Sequence, residues 1–87
     1  MSEFETGRGR GKPRAYDTAY LSLIGKRVRS RRTALKMSRK KLSDYSGVSE
    51  RFIAHLEAGE GNISIMRLRA ISAALGLPMA VLTAEPI

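Results

Sequence analysis

Three residues, Gly47-Val48-Ser49, are all that separates two short helical patterns near the middle of this chain. Glycine takes the left-handed backbone conformation that closes a helix, and serine offers a hydroxyl oxygen to the unpaired amides that open one. The interval therefore reads as a stop followed at once by a start. A helix from Arg39 to about Ser46, capped by Ser38, ends at Gly47, and a third helix begins after Ser49 with Ile53 and Leu56 as its buried face. Helices this short are unstable in isolation. They hold only where other elements cover their apolar residues.

The flanking sequence supplies those elements. From about Thr18, Leu21, Ile24, Val28 and Leu35 recur at spacings of three, four and seven, while Lys26, Arg27, Arg29 and Arg31 fill the other faces of an amphipathic, strongly basic first helix. Gly59-Glu60-Gly61-Asn62 breaks the chain after the third helix. Ser64 then caps a fourth, whose Ile65, Leu68, Ile71 and Leu75 point inward. Gly76 stops it. Pro78 suits the first turn of a brief fifth helix whose Val81 and Leu82 close the core, and Pro86 marks the exit. No segment alternates as a half-buried strand does, so an all-α fold of five helices is expected, with no internal repeat.

A chain of 87 residues forms one small domain, and such a domain buries only about 60% of the surface its unfolded chain exposes. It has no cysteine, hence neither disulfides nor a thiolate metal site to make up for a small core. The most apolar stretch, Ala70 to Leu82, is too short and too interrupted to span a bilayer, and the amino-terminus is charged where a signal peptide is apolar. A soluble chain without a membrane partner, resident in the cytoplasm, is expected. The net charge of +8 is uneven: residues 1 to 41 hold thirteen Lys and Arg against three acids, and residues 42 to 87 three against five. That asymmetry points to a polyanion met by the first half, with plain solvated charge as the alternative. Met1 to Arg14, rich in Gly, Arg and Lys, lacks the apolar residues that ordering requires and reads as a flexible basic arm.

Five short helices with a tight turn between the second and third resemble the lambda-repressor-like DNA-binding domain of the Xre/Cro helix-turn-helix family. The resemblance is carried by Gly25-Lys26-Arg27-Val28-Arg29-Ser30-Arg31-Arg32, Met37-Ser38, Leu42, Ser46-Gly47-Val48-Ser49, Ile53, Leu56-Glu57-Ala58-Gly59 and Ile71 to Leu75. It divides the chain into an arm (1–17), the helix-turn-helix domain (18–83) and a linker or tail (84–87). Arg39 departs from the glutamine usual in the family, which implies a stronger phosphate contact and leaves open what braces the first reading residue. More narrowly, Val48 to Ile53 with Leu56 to Ile65 resembles the benzoyl-CoA-responsive repressors, in which this domain is joined to a shikimate-kinase-like domain. That implies a small-molecule effector acting through a domain not in this chain, with Thr83 to Ile87 as the opening of a linker.

The resemblance implies that the third helix lies in the major groove with Glu50, Arg51, Phe52, Ala54 and His55 outward. Arg51 bonds a guanine at two atoms, Glu50 accepts from cytosine and Phe52 touches a thymine methyl; a merely solvated face is the alternative. Lys26, Arg27, Ser38, Arg39, Lys40, Asn62 and Arg67 are the phosphate candidates, helped by free amides at the starts of the second and fourth helices. Glu57 pairs with Arg32, either to aim it at a phosphate or as a plain ion pair. His55 has no second histidine or cysteine with which to form a metal site, and Gly59-x-Gly61 lacks the strand and third glycine of a nucleotide loop. No cofactor and no enzyme activity are expected. In the arm, Arg8, Arg10, Lys12 and Arg14 suit a narrow minor groove, Arg8-Gly9-Arg10 resembling an AT-hook core, or the segment is an inert tail. The expected function is sequence-specific binding of double-stranded DNA by a bacterial transcriptional regulator, a repressor acting as a homodimer on a near-palindrome. By the family's habit Met79, Val81 and Leu82 make the dimer contact. An antitoxin whose main partner is a toxin is the alternative.

Overall fold

Helix starts in this chain follow one local recipe. In the computed structural model, which describes residues 14–86, Ser38, Ser49 and Ser64 have extended backbones, and each side-chain oxygen accepts from the amide three residues on. The bonds, from Lys41, Phe52 and Arg67, measure 3.0, 3.1 and 3.2 Å. Immediately before each cap stands an apolar residue, and four after it another: Met37 and Leu42, Val48 and Ile53, Ile63 and Leu68. Leu77 and Leu82 repeat the arrangement around Pro78. All eight belong to the core or pack against it, the placement of a hydrophobic staple, which fixes the angle at which the chain enters a helix.

The resulting elements are α1 (Ala15–Ala34), α2 (Arg39–Ser46), α3 (Glu50–Glu57), α4 (Ile65–Ala74) and α5 (Met79–Thr83), with no strand among the described residues. The all-α, five-helix expectation holds. α1 packs on α3, α2 on both α3 and α4, and α5 closes against α1 and α4. Val28, Leu42, Ile53, Leu56, Ile71, Leu75 and Leu82 are the fully buried centre. No described helix is long and apolar enough to cross a membrane.

Four details differ from the sequence reading. α1 begins at Ala15 rather than about Thr18, because the Arg14 carbonyl accepts from the amides of Asp17 and Thr18 and Asp17 places its charge in the first turn. At the other end the helix stops at Ala34, and Leu35 is 41% exposed. Ile65 is 69% exposed, since α4 buries Leu68, Ile71 and Ser72 and leaves its first turn uncovered. Val81 is also exposed; Leu82 alone of that pair closes the core.

Candidate nucleic-acid interface

The inner side of α3 is held by apolar packing, by backbone contact and by charge. Ile53 and Leu56 are buried. Where α1 crosses α3, residue 25 is glycine, and a Cβ there would lie 2.2 Å from the Leu56 carbonyl oxygen and 2.9 Å from that of Glu57. The missing side chain lets the backbone of α1 rest against the last carbonyls of α3. Gly59, just beyond α3, is equally confined: a Cβ there would meet Ser22 Oγ at 2.5 Å.

Charge completes the mounting. Glu57 Oε2 accepts from Arg32 Nε at 2.6 Å, and Oε1 accepts from Arg32 Nη2 at 3.0 Å and from Arg39 Nε at 3.1 Å. Arg32 Nη1 donates to the Met37 carbonyl at 2.8 Å. The Glu57 side chain is 2% exposed, Arg32 10% and Arg39 42%. The hydrogen bond to Glu57 holds the Arg32 guanidinium above its ordinary value, burial opposes this, and the opposite charge of Glu57 adds to the rise. Of the two readings open for Arg32, its burial in this pair fits the plain ion pair and speaks against a phosphate contact. Arg39 is the solvent-facing member, held to α3 at Nε through Glu57.

Of the expected base readers, Glu50, Arg51 and His55 are exposed, whereas Phe52 and Ala54 are half-buried. Phe52 packs against the core and carries the Arg67 guanidinium 5.5 Å above its ring, so the ring is already engaged on both counts. His55 Nδ1 lies 3.1 Å from Glu60 Oε1.

The expected phosphate contacts divide. Lys26, Ser38, Lys40, Asn62 and Arg67 are exposed. Ser38 spends its oxygen on the α2 cap, and Lys40 Nζ meets Asp44 Oδ2 at 3.4 Å. Arg27 is drawn away: its Nη1 donates to the carbonyls of Leu82 and Ala84 at 3.0 and 2.6 Å, tying α1 to the end of α5. Arg14 is the N-cap residue of α1, with Nε 3.1 Å from Asp17 Oδ2, and not part of an arm. Arg8, Arg10 and Lys12 lie outside the described residues. Leu82 is wholly buried in the core, while Met79 is half-buried and Val81 exposed. Among the described residues no three His, Cys, Asp or Glu side chains gather as a metal site needs.

Sequence reasoning passed over three contributions. Gly25 appeared only as part of a matching run, although glycine inside an otherwise helical pattern is itself a sign of close backbone approach. Glu60 appeared only as a loop residue. Lys41, with its ammonium 5.5 Å from the Tyr45 ring, was legible as a cation and an aromatic four apart on one helix.

Comparison with known proteins follows the same segment. The helix-turn-helix family model matches residues 28–82. A protein of Rhodospirillum rubrum described as an uncharacterized transcriptional regulator in the ATPase CF(0) region is 43% identical over 56 residues, 64% of this chain and 52% of that protein. The chain thus spans about half the length of this relative. The crystal structure of the restriction-modification controller protein C.AhdI from Aeromonas hydrophila superposes with a TM-score of 0.71 at 30% identity, over 74% of this chain and 97% of that one.

Proposed function

The chain belongs to the helix-turn-helix family, and we propose that it is a transcriptional regulator that reads double-stranded DNA with α3 laid in the major groove. One observation carries the reading: α3 is fixed on its inner side by Gly25 and Glu57, and its outer side presents Glu50, Arg51 and His55 to solvent. A major groove admits one helix, and its base edges differ in donors and acceptors. Arg51 supplies a planar pair of donors suited to guanine, and Glu50 an acceptor suited to the cytosine amino group.

Three positive groups are tied to α3 or to what touches it. Arg39 is anchored through Glu57, Arg67 through Phe52, and Lys26 follows the glycine that touches α3. With Lys40 and the free amides at the start of α2, they neutralise phosphates and set the register of the helix. The minor-groove role of Arg8, Arg10 and Lys12, a homodimer on half-sites about 34 Å apart, a repressing sense and a small-molecule effector acting through a domain not in this chain belong to the same proposal. For the dimer, the surface assigned to a second copy is a shallow groove between α1 and α5 lined by Ala34, Leu77 and Val81 together with Arg27, Ser30 and Arg31.

Selection of bound sites from random duplexes, followed by a salt titration on the winner, tests the reading. A near-palindromic motif is expected, with log affinity falling linearly in log salt by about 0.9 per phosphate neutralised. Recovery of no motif, with binding equal on all sequences, overturns it.

A further inference from the structure

We infer that Glu60 decides which kind of base His55 reads, by fixing which imidazole nitrogen carries the hydrogen; the inference rests on α3 being the base-reading helix. The backbone at the end of α3 brings the two residues together. Glu60 N–H donates to the His55 carbonyl at 2.9 Å and Gly59 N–H to that of Leu56 at 3.0 Å, with Gly59 left-handed at φ 78°. In this form of helix ending, the residues joined by the longer-range bond ordinarily meet through apolar side chains. Here an imidazole meets a carboxylate, His55 Nδ1 lying 3.1 Å from Glu60 Oε1. Exposed charged pairs that meet by chance count for little. The two side chains here are exposed, 51% at His55 and 65% at Glu60, and what the fold sets is the turn that brings them together, seated against Ser22 of α1.

A carboxylate only accepts, so the hydrogen sits on Nδ1, and the neutral ring has a bare Nε2 that is itself an acceptor. No hydrogen bond of the described residues occupies Nε2. In the major groove an acceptor pairs with the amino group of adenine or cytosine, whereas a donor pairs with N7 or O6 of guanine, O4 of thymine or N7 of adenine. Released from Glu60, the ring takes up the Nε2–H form and presents a donor. Glu60 is thus a positioning residue: it touches no base, yet it selects the class of base edge that His55 matches. Arg51, one turn earlier on α3, is a donor only, so the fixed tautomer gives the helix a donor and an acceptor instead of two donors.

His55 is the only histidine in the chain, which makes its ring nitrogens directly readable by nitrogen NMR. At a pH where those signals report a neutral ring, the wild type is expected to carry hydrogen on Nδ1. Glu60→Gln should match it, because an amide oxygen also accepts, and Glu60→Ala should move toward Nε2–H. Site selection with the same three proteins is expected to favour adenine or cytosine under His55 by about threefold to tenfold for the first two, the worth of one hydrogen bond. Glu60→Ala should lose cytosine and gain guanine or thymine at that position, adenine suiting either form, and His55→Ala, which erases the preference, locates the position. An unchanged tautomer in Glu60→Ala overturns the inference, as does a changed tautomer with the same base preference. A wild type that selects no motif removes the reading of α3 and this inference with it, whereas a motif indifferent to Glu60→Ala removes this inference alone.

Discussion

Arg32 Nε stands 2.6 Å from Glu57 Oε2, a charge pair between α1 and α3 that solvent barely touches. Taking Glu57 away leaves a guanidinium buried without its partner, so Glu57→Ala should destabilise the domain by about 3–5 kcal/mol. Replacing both, as Arg32→Met with Glu57→Leu, should cost less than either alone. Urea denaturation of the four proteins measures this; additive losses would count against the coupling.

The same contact sets a sign for pH dependence. Because Glu57 raises the Arg32 value in the folded state, the stabilisation is complete below the unfolded guanidinium value and is lost only as pH climbs through the folded one, far above neutrality. With Arg32→Lys the loss should start earlier, above about pH 10. Stability curves of the two proteins should run parallel through neutral pH and diverge only there, the lysine variant lying lower throughout for want of the two-atom contact.

Arg51 and Lys26 should fail differently. Arg51→Ala is expected to cost roughly 1–3 kcal/mol on the selected operator and to relax preference at one base pair. Lys26→Ala should weaken specific and random DNA alike and reduce the salt slope by about 0.9. Equal loss of discrimination in both variants, read by gel shift at several salt concentrations, would reverse these roles.

Gly25→Ala tests the mounting of α3. The new methyl group meets backbone oxygen, which cannot swing aside, so a cost of about 1–3 kcal/mol is expected despite alanine's better helix propensity. DNA affinity should fall further than the unfolded fraction explains, because α3 must shift to admit the group. Thermal melts paired with binding well below the melting point separate the two effects.

Local chemistry accounts for what the sequence made legible. The caps at Ser38, Ser49 and Ser64 lie three residues from the amides they serve, so residue order alone reveals them. Arg27 and Arg31 were opaque for the opposite reason: their acceptors, the carbonyls of Leu82, Ala84 and Leu75, come within reach only after α4 and α5 have folded back on α1. Periodicity carries the first helix to Leu35, but the inward place near its end belongs to Arg32, a charge that apolar counting cannot see. The left-handed residue that follows is Lys36, at φ 55°, where a reader of sequence looks for glycine. The outer face of α3 came from the family resemblance, and the fold divided it, leaving Arg51 in solvent and turning Phe52 toward the core.

Ile53, Leu56 and Glu57, which hold α3, and Glu50, Arg51 and His55, which project from it, have no member in common. On the proposed reading of α3, selection on folding and selection on recognition act on separate positions of one eight-residue helix. Exposed substitutions usually change stability by less than about 0.5 kcal/mol, so a lineage built on this scaffold can wander from one operator to another without passing through an unfolded ancestor. On that reading, kinship in fold preserves the mount of the helix and leaves its target free to change.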